Sequence, residues 1–275
     1  MCAAFTGAYW QDLDARRAYP EAFVAALTDA GYLAALIPRA YGGMGLDLTA
    51  ACAILEEINR SGGNANQAHA QMYTMGTLLR HGSERQKAAW LPRIASGDIR
   101  LQAFGVTEPE AGTTQITTFA ERRGDRYVVN GHKIYIWRVQ YSDLMILLAR
   151  TTPAAAVTRR SDGLSAFLVD LRDAGEQIEV TRRPVMMNNL TNELRLRDLE
   201  IPAENLIGEE GKGFRSILDG MPGPTWPSCW PPTRRGRRPT SRCRPSAVTA
   251  STSPTTSSAS SARPACTRWR RSRPT

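Results

Sequence analysis

Residues 222–275 contain no aspartate, glutamate, lysine, leucine, isoleucine, phenylalanine or tyrosine. Proline, serine, threonine and arginine fill 40 of those 54 positions. A segment so poor in apolar side chains buries too little surface to offset the entropy of ordering it, so disorder is the expectation. Its three tryptophans and three cysteines follow no pattern, unlike a linker. It reads as out-of-frame translation of a GC-rich gene. The alternative is a genuine basic tail that neutralises nucleic-acid phosphates.

The body before it lacks other things. It has two cysteines, Cys2 and Cys52, which make neither a disulfide framework nor a zinc spacing. No apolar run approaches 18 residues, which excludes a conventional membrane-spanning helix. The opening "MCAAFTGAYWQDLD" has no charged n-region followed by an apolar stretch, so a cytoplasmic location is expected. A strong charge is missing too. The formal net of +9 belongs to the tail, whose 11 arginines leave residues 1–221 with 24 basic against 26 acidic side chains. A nucleic-acid partner is therefore not expected for the body.

What is present divides into an α+β chain. Residues 1–100 read as an all-helical domain. "YPEAFVAALTDAGYLAAL" spaces Phe23, Leu27, Ala30 and Leu33 on one face, with Pro20 near the start and Gly31 as a stop. "TAACAILEEINRSGG" is a second helix opened by Thr49, and "NANQAHAQMYTMGTLLRHGS" a third with Met72, Met75, Leu78 and Leu79 buried. A fourth begins at the N-cap Ser83 and continues past Pro92. Residues 101–208 switch to short β-rich runs separated by Gly and Asp, the pattern of an antiparallel, barrel-like domain. Gly124-Asp125 and Asn130-Gly131 are its turn signals. Residues 209–221 start another helix.

"FGVTEPEAGTT", residues 104–114, leaves the first strand of that domain. One reading is a strand-end turn set by Pro109. The other is a loop that presents backbone N–H groups and small hydroxyls to a ligand, with Gly112 allowing close approach. The three histidines, His69, His81 and His132, read as helix, helix-end and hairpin residues, and no His/Asp/Glu cluster has metal-ligand spacing. "NRSGGN" and "GEEGKGF" match no phosphate-binding fingerprint.

Four segments together resemble acyl-CoA dehydrogenases: "YPEAFVAALTDAGYLAALIPRAYGGMGLDL", "LQAFGVTEPEAGTT", "GDRYVVNGHKIYI" and "LTNELRLRDLEIPAENLIGEEGKGF". The resemblance covers about residues 10 to 221. It implies a helical domain, a β-domain and a C-terminal four-helix bundle, with FAD between the last two in a homotetramer. It also implies α,β-dehydrogenation of an acyl-CoA thioester, with electrons passed to an electron-transfer flavoprotein. Side chains offer no hydride acceptor, so a cofactor carries that step and protein groups orient, polarise and deprotonate.

On the family pattern, Phe104, Val106 and Thr107 contact the flavin, and Gly112 and Thr113 continue the cradle, Thr113 replacing the usual serine. Tyr135 stands where the family usually has the tryptophan that shields one flavin face, and Trp137 where a threonine or serine bonds near flavin N5. A tryptophan there crowds the ring, or else packs as an ordinary strand residue. The loop after Gly112 is about two residues shorter than the family's. Glu108 is the only acid in the motif, but the family's base, like its CoA-binding arginine, comes from the bundle. Residues 222–275 offer no carboxylate for that role. The expectation is a flavoprotein lineage whose bundle is missing and replaced by the tail, inactive as written. A basic nucleic-acid-binding protein and a related flavin oxidase or monooxygenase are the alternatives.

Overall fold

The computed structural model describes residues 1–186 and 190–220. The disorder and shifted frame expected of residues 222–275 lie outside the described residues. What is described is one contact unit.

Its helical part holds α1 (Gly7–Arg16), α2 (Glu21–Asp29), α3 (Leu48–Arg60), α4 (Asn66–His81) and α5 (Glu84–Ala95). Of the face expected from Phe23, Leu27, Ala30 and Leu33, α2 carries Phe23 and Leu27, buried together with Val24; the helix ends at Asp29, Ala30 is its exposed C-cap, and Leu33 is buried in the following 3₁₀ turn. Ser83 caps α5 through a reciprocal pair with Gln86, which satisfies two helix-end donors together. The start of α3 differs from expectation. Asp47, not Thr49, is its N-cap, accepting from Ala50 N at 2.8 Å. A carboxylate two residues earlier wins because it also meets the positive helix end. Among the described residues, no helix is long and apolar enough to cross a membrane.

The sheet part comprises β1 (Leu101–Gly105), β2 (Phe119–Arg123), β3 (Arg126–Trp137), β4 (Leu144–Arg150), β5 (Leu164–Asp170), β6 (Ile178–Arg182), β7 (Thr191–Pro202) and β8 (Leu206–Ile207). Its order is β6-β7-β3-β2-β4-β5-β8, with β1 beside β4. The pairing is mostly antiparallel, but β1 runs parallel to β4. β4 is buried along its whole length, as a strand covered on both faces must be. Leu144, Ile146 and Leu148 face Met75 and Leu78 of α4, while Met145 and Leu147 face the core enclosed by β3, β5 and β7. Each such side chain contributes about 1.5–3 kcal/mol on burial. α6 (Gly213–Gly220), the helix expected after residue 209, packs Ile217 into the first of these cores.

Of the two turn signals, only one makes a hairpin. Gly124-Asp125 joins β2 to β3, with Gly124 at φ 64°. Asn130-Gly131 lies inside β3, at a bulge against β7. The reasons are local. A Cβ on residue 131 would overlap the Thr118 side chain, so Gly131 is needed for close approach rather than for a turn. The Asn130 amide accepts from Asp198 N at 2.9 Å and donates to the Asp198 carboxylate at 2.9 Å.

Candidate cofactor site

The segment 104–118 both turns and opens. Glu110, at φ 57°, closes a tight turn in which Glu108 bridges to Ala111, and a short 3₁₀ turn at Thr113–Gln115 follows. Gln115 N donates to Gly112 O at 2.7 Å. The proline turn and the open loop are thus the same object.

Three buried side chains hold it. Lys133 of β3 is fully buried and donates Nζ to Val106 O at 3.1 Å, to Leu148 O at 2.8 Å and to Glu108 Oε1 at 2.8 Å. Glu108 in turn accepts from Thr117 N at 2.6 Å, the Thr117 hydroxyl at 2.9 Å and Thr118 N at 3.0 Å. Burial pushes the Glu108 carboxyl upward, but the Lys133 charge and these donors outweigh it and bring the pKa down to about 2. Burial pulls the Lys133 ammonium down to about 8 against the opposing pull of Glu108. Both groups are therefore ionised at neutral pH. Arg150 supplies the third hold, donating to Thr114 O at 3.1 Å and Ile116 O at 3.3 Å.

This arrangement leaves the side chains of the tip unused. Thr107, Gly112 and Thr113 are exposed, and none of the hydrogen bonds among the described residues engages the Thr107 or Thr113 hydroxyl. Gly112 has φ −68°, and a Cβ there would meet only the Gln115 side chain, at 3.8 Å. The fold itself does not demand a glycine at 112. Space in front of it is left for something else.

β3 brings a second wall alongside. Ile134 N donates to Thr107 O at 2.9 Å, which sets Val106 and Thr107 against the 133–135 stretch. Between Lys133 and Ile136 the β3–β7 register shifts, and Tyr135 sits there at φ 58° with 61% of its surface exposed. A left-handed aromatic residue costs on the order of 1–3 kcal/mol, and such strain clusters at ligand sites. Phe104 is half-buried, its ring edge-on to Tyr73 of α4 at 5.3 Å. Trp137 is half-buried at the end of β3, and the Arg138 guanidinium lies 5.4 Å from its ring centroid. Phe104, Val106, Thr107 and Tyr135 are thus neighbours, Gly112 and Thr113 lie across the turn, and Trp137 packs toward Arg138.

Beside these walls, α3, α4 and α6 enclose an apolar cavity of about 180 Å³ lined in part by Cys52, Leu55, His69, Met72, Tyr73 and Gly220. Burial lowers the His69 pKa, and the charge of Arg138 adds to the effect. His132 instead pairs with Glu193 at 2.6 Å, and His81 approaches Asp219 at 3.6 Å. Among the described residues no group of His, Cys, Asp and Glu is arranged to hold a metal.

Sequence reasoning alone does not single out Lys133, Arg138 and Arg150. The strand-buried lysine in "GHKIYI" was the available signal, since a cation at an inward position needs a buried anion. Glu108, the motif's lone acid, is that anion.

Residues 2–98 match the family profile described as acyl-CoA dehydrogenase, N-terminal domain, and residues 103–199 that described as acyl-CoA dehydrogenase, middle domain. The chain is 34% identical to a cyclohex-1-ene-1-carbonyl-CoA dehydrogenase of Syntrophus aciditrophicus, over 76% of this chain and 51% of that protein. It is 34% identical to "Probable acyl-CoA dehydrogenase fadE25" of Mycobacterium leprae, over 75% of this chain and 53% of the relative. The crystal structure of an acyl-CoA dehydrogenase from Geobacillus kaustophilus superposes with a TM-score of 0.70 at 30% identity, covering 77% of this chain and 56% of that one. The chain thus spans about half the length of the curated relatives it matches. Two adjoining domain profiles in the right order, over the fold that carries the loop at 104–118, lead to one conclusion: the chain belongs to the acyl-CoA dehydrogenase family.

Proposed function

We propose that this chain carries one wall of a FAD site and the adjoining acyl pocket of an enzyme that performs α,β-dehydrogenation of an acyl-CoA thioester. The observation that carries the reading is the tip at 107–113. Its hydroxyls and glycine are exposed and unused, while Lys133, Glu108 and Arg150 spend buried hydrogen bonds on keeping that tip in place. Such a donor set suits the polar edge of an isoalloxazine ring, with backbone N–H groups and hydroxyls at short range. Phe104, Val106, Thr107, Gly112, Thr113 and Tyr135 would hold FAD, and Tyr135 offers a stacking face. When bound, FAD supplies the hydride acceptor that no side chain provides.

The chain's own residues bind and orient. The apolar cavity beside Tyr73 excludes water from an acyl chain, and the exposed tip positions the ligand. Glu108 is not a candidate for proton abstraction. A carboxylate with a pKa near 2, saturated by Lys133 and two threonines, is too weak a base to take an α-proton. With Glu108 excluded, the tip at 107–113 binds and orients but supplies no proton acceptor, and no turnover is expected from a polypeptide of these 275 residues alone. The expected partners are acyl-CoA, an electron-transfer flavoprotein and further copies of the chain, with a cytoplasmic location. Purification of the 275-residue chain with FAD added, followed by a dye-reduction assay with butyryl-CoA, tests both halves. Retained flavin absorbance without dye reduction is expected. Absence of any flavin binding overturns the site, and clear turnover overturns the inactivity.

A further inference from the structure

Lys133 Nζ stands among three oxygens, Leu148 O and Glu108 Oε1 at 2.8 Å and Val106 O at 3.1 Å. An ammonium has three N–H bonds, one for each of them. A neutral amine has two, and its lone pair must then face an oxygen. The side chain is fully buried, so no water-exposed direction is open to it. Loss of the proton therefore breaks one of the three bonds, whichever way the amine turns.

The three oxygens are not held equally. Leu148 lies inside β4, which pairs with β5 along its whole length. Glu108 keeps three further donors, Thr117 N, the Thr117 hydroxyl and Thr118 N. Val106 lies just past the end of β1, and its bond to Nζ is the longest of the three. Among the described residues no other hydrogen bond reaches its carbonyl. The weakest hold is thus on the residue joined to Thr107, whose own carbonyl accepts from Ile134 N at 2.9 Å, next to the left-handed Tyr135. A change at Nζ reaches both walls of the candidate site. The charges that bear on it are few. Glu108 acts on Lys133 from the turn, and Arg150 of β4 acts on Glu108. Across the β3–β7 pairing Lys133 meets Leu194, while the adjacent His132 pairs with Glu193. Burial outweighs Glu108 and brings the Lys133 pKa down to about 8.

We propose that Lys133 is a proton-controlled latch on the flavin rim: protonated, it holds Val106 and Thr107 where FAD binds, and deprotonated, it frees the rim and FAD leaves a chain that stays folded. The role rests on the flavin reading above. That the chain stays folded follows from the sign of the burial effect. The buried ammonium gives up its proton at about 8, and the ordinary lysine of an unfolded chain at 10.5. Between those values the unfolded chain binds more protons, so the stability contributed by this group rises with pH. Alkaline pH loosens the rim without melting the fold.

Fluorescence titration of FAD with the full 275-residue chain between about pH 7 and about pH 9.5 tests it, with thermal melts and amide exchange recorded alongside. FAD affinity is expected to fall about tenfold over that range, starting near pH 8. The protection of the Ile134 N–H against exchange is expected to fall with it, while the melting temperature holds. Lys133→Arg carries a charge that does not titrate there, and its FAD affinity is expected to be flat with pH. Glu108→Gln removes the anion that keeps the proton on Lys133, and is expected to move the fall to lower pH. A flat profile in the parent overturns the latch. So does a fall that persists in Lys133→Arg or stays at the same pH in Glu108→Gln. A melting temperature that drops in step with affinity makes the loss global unfolding and overturns it too. FAD binding at no pH, with Ile134 protection still falling near pH 8, supports the latch on the loop and overturns the flavin reading. Constant protection overturns the latch whatever FAD does.

Discussion

Lys133 Nζ stands 2.8 Å from Glu108 Oε1, and both side chains are almost wholly buried. This pair joins β3 to the loop that carries the candidate site. It converts a polar turn at the end of β1 into a fixed rim. Removing one partner strands the other charge in the interior. Lys133→Met is expected to cost about 3–5 kcal/mol in urea unfolding. A double variant, Lys133→Met with Glu108→Met, is expected to recover much of that loss. A single variant as stable as the parent contradicts the role given to the pair.

The same pair makes stability sensitive to acid. The folded Glu108 pKa of about 2 lies below its ordinary value of 4.5. Its contribution is therefore fully present above pH 4.5 and is lost as the pH falls toward 2. Melting temperatures recorded through that window are expected to fall steeply for the parent. Glu108→Gln, already lower in stability at neutral pH, is expected to show a flatter acid limb. Parallel curves for the two proteins count against the assignment.

Gly131 is a prediction about space. A methyl group at that position meets the Thr118 side chain in the middle of a bulged strand. Gly131→Ala is expected to destabilise by about 1–3 kcal/mol. Thr118→Ala in the same background is expected to restore part of the loss, read from thermal melts.

Tyr135 separates stability from binding. Its left-handed backbone suits asparagine better than tyrosine. Tyr135→Asn is expected to melt at or slightly above the parent temperature, by no more than about 1 kcal/mol of stability, while FAD affinity falls about tenfold as the stacking face is lost. Unchanged FAD affinity removes Tyr135 from the site.

Much of the fold is legible in local patterns. Ser83 announces a helix start, and the spacing of Phe23 and Leu27 identifies a buried helix face. The change of period near residue 101 marks the turn to strands. Features set by contacts across the chain are harder to read. Asn130-Gly131 looks like a hairpin until Thr118 and Asp198 are placed beside it. The parallel pairing of β1 with β4 depends on a partner some 40 residues away, and no local propensity encodes it. In the site, "VTEPEAG" identifies the loop by resemblance, but its rigidity comes from Lys133 and Arg150, which are distant in sequence. Arg138 looks like one more strand-end cation until its burial and missing partners are seen.

The central claim is that the exposed tip at 107–113 is a flavin cradle. Fluorescence titration of FAD with the 275-residue chain, repeated with Thr113→Val, tests it most directly. The account predicts saturable quenching by the parent and about tenfold weaker binding when the Thr113 hydroxyl is replaced by a methyl group, with melting temperature unchanged. No saturable binding, or equal binding by both proteins, would contradict it.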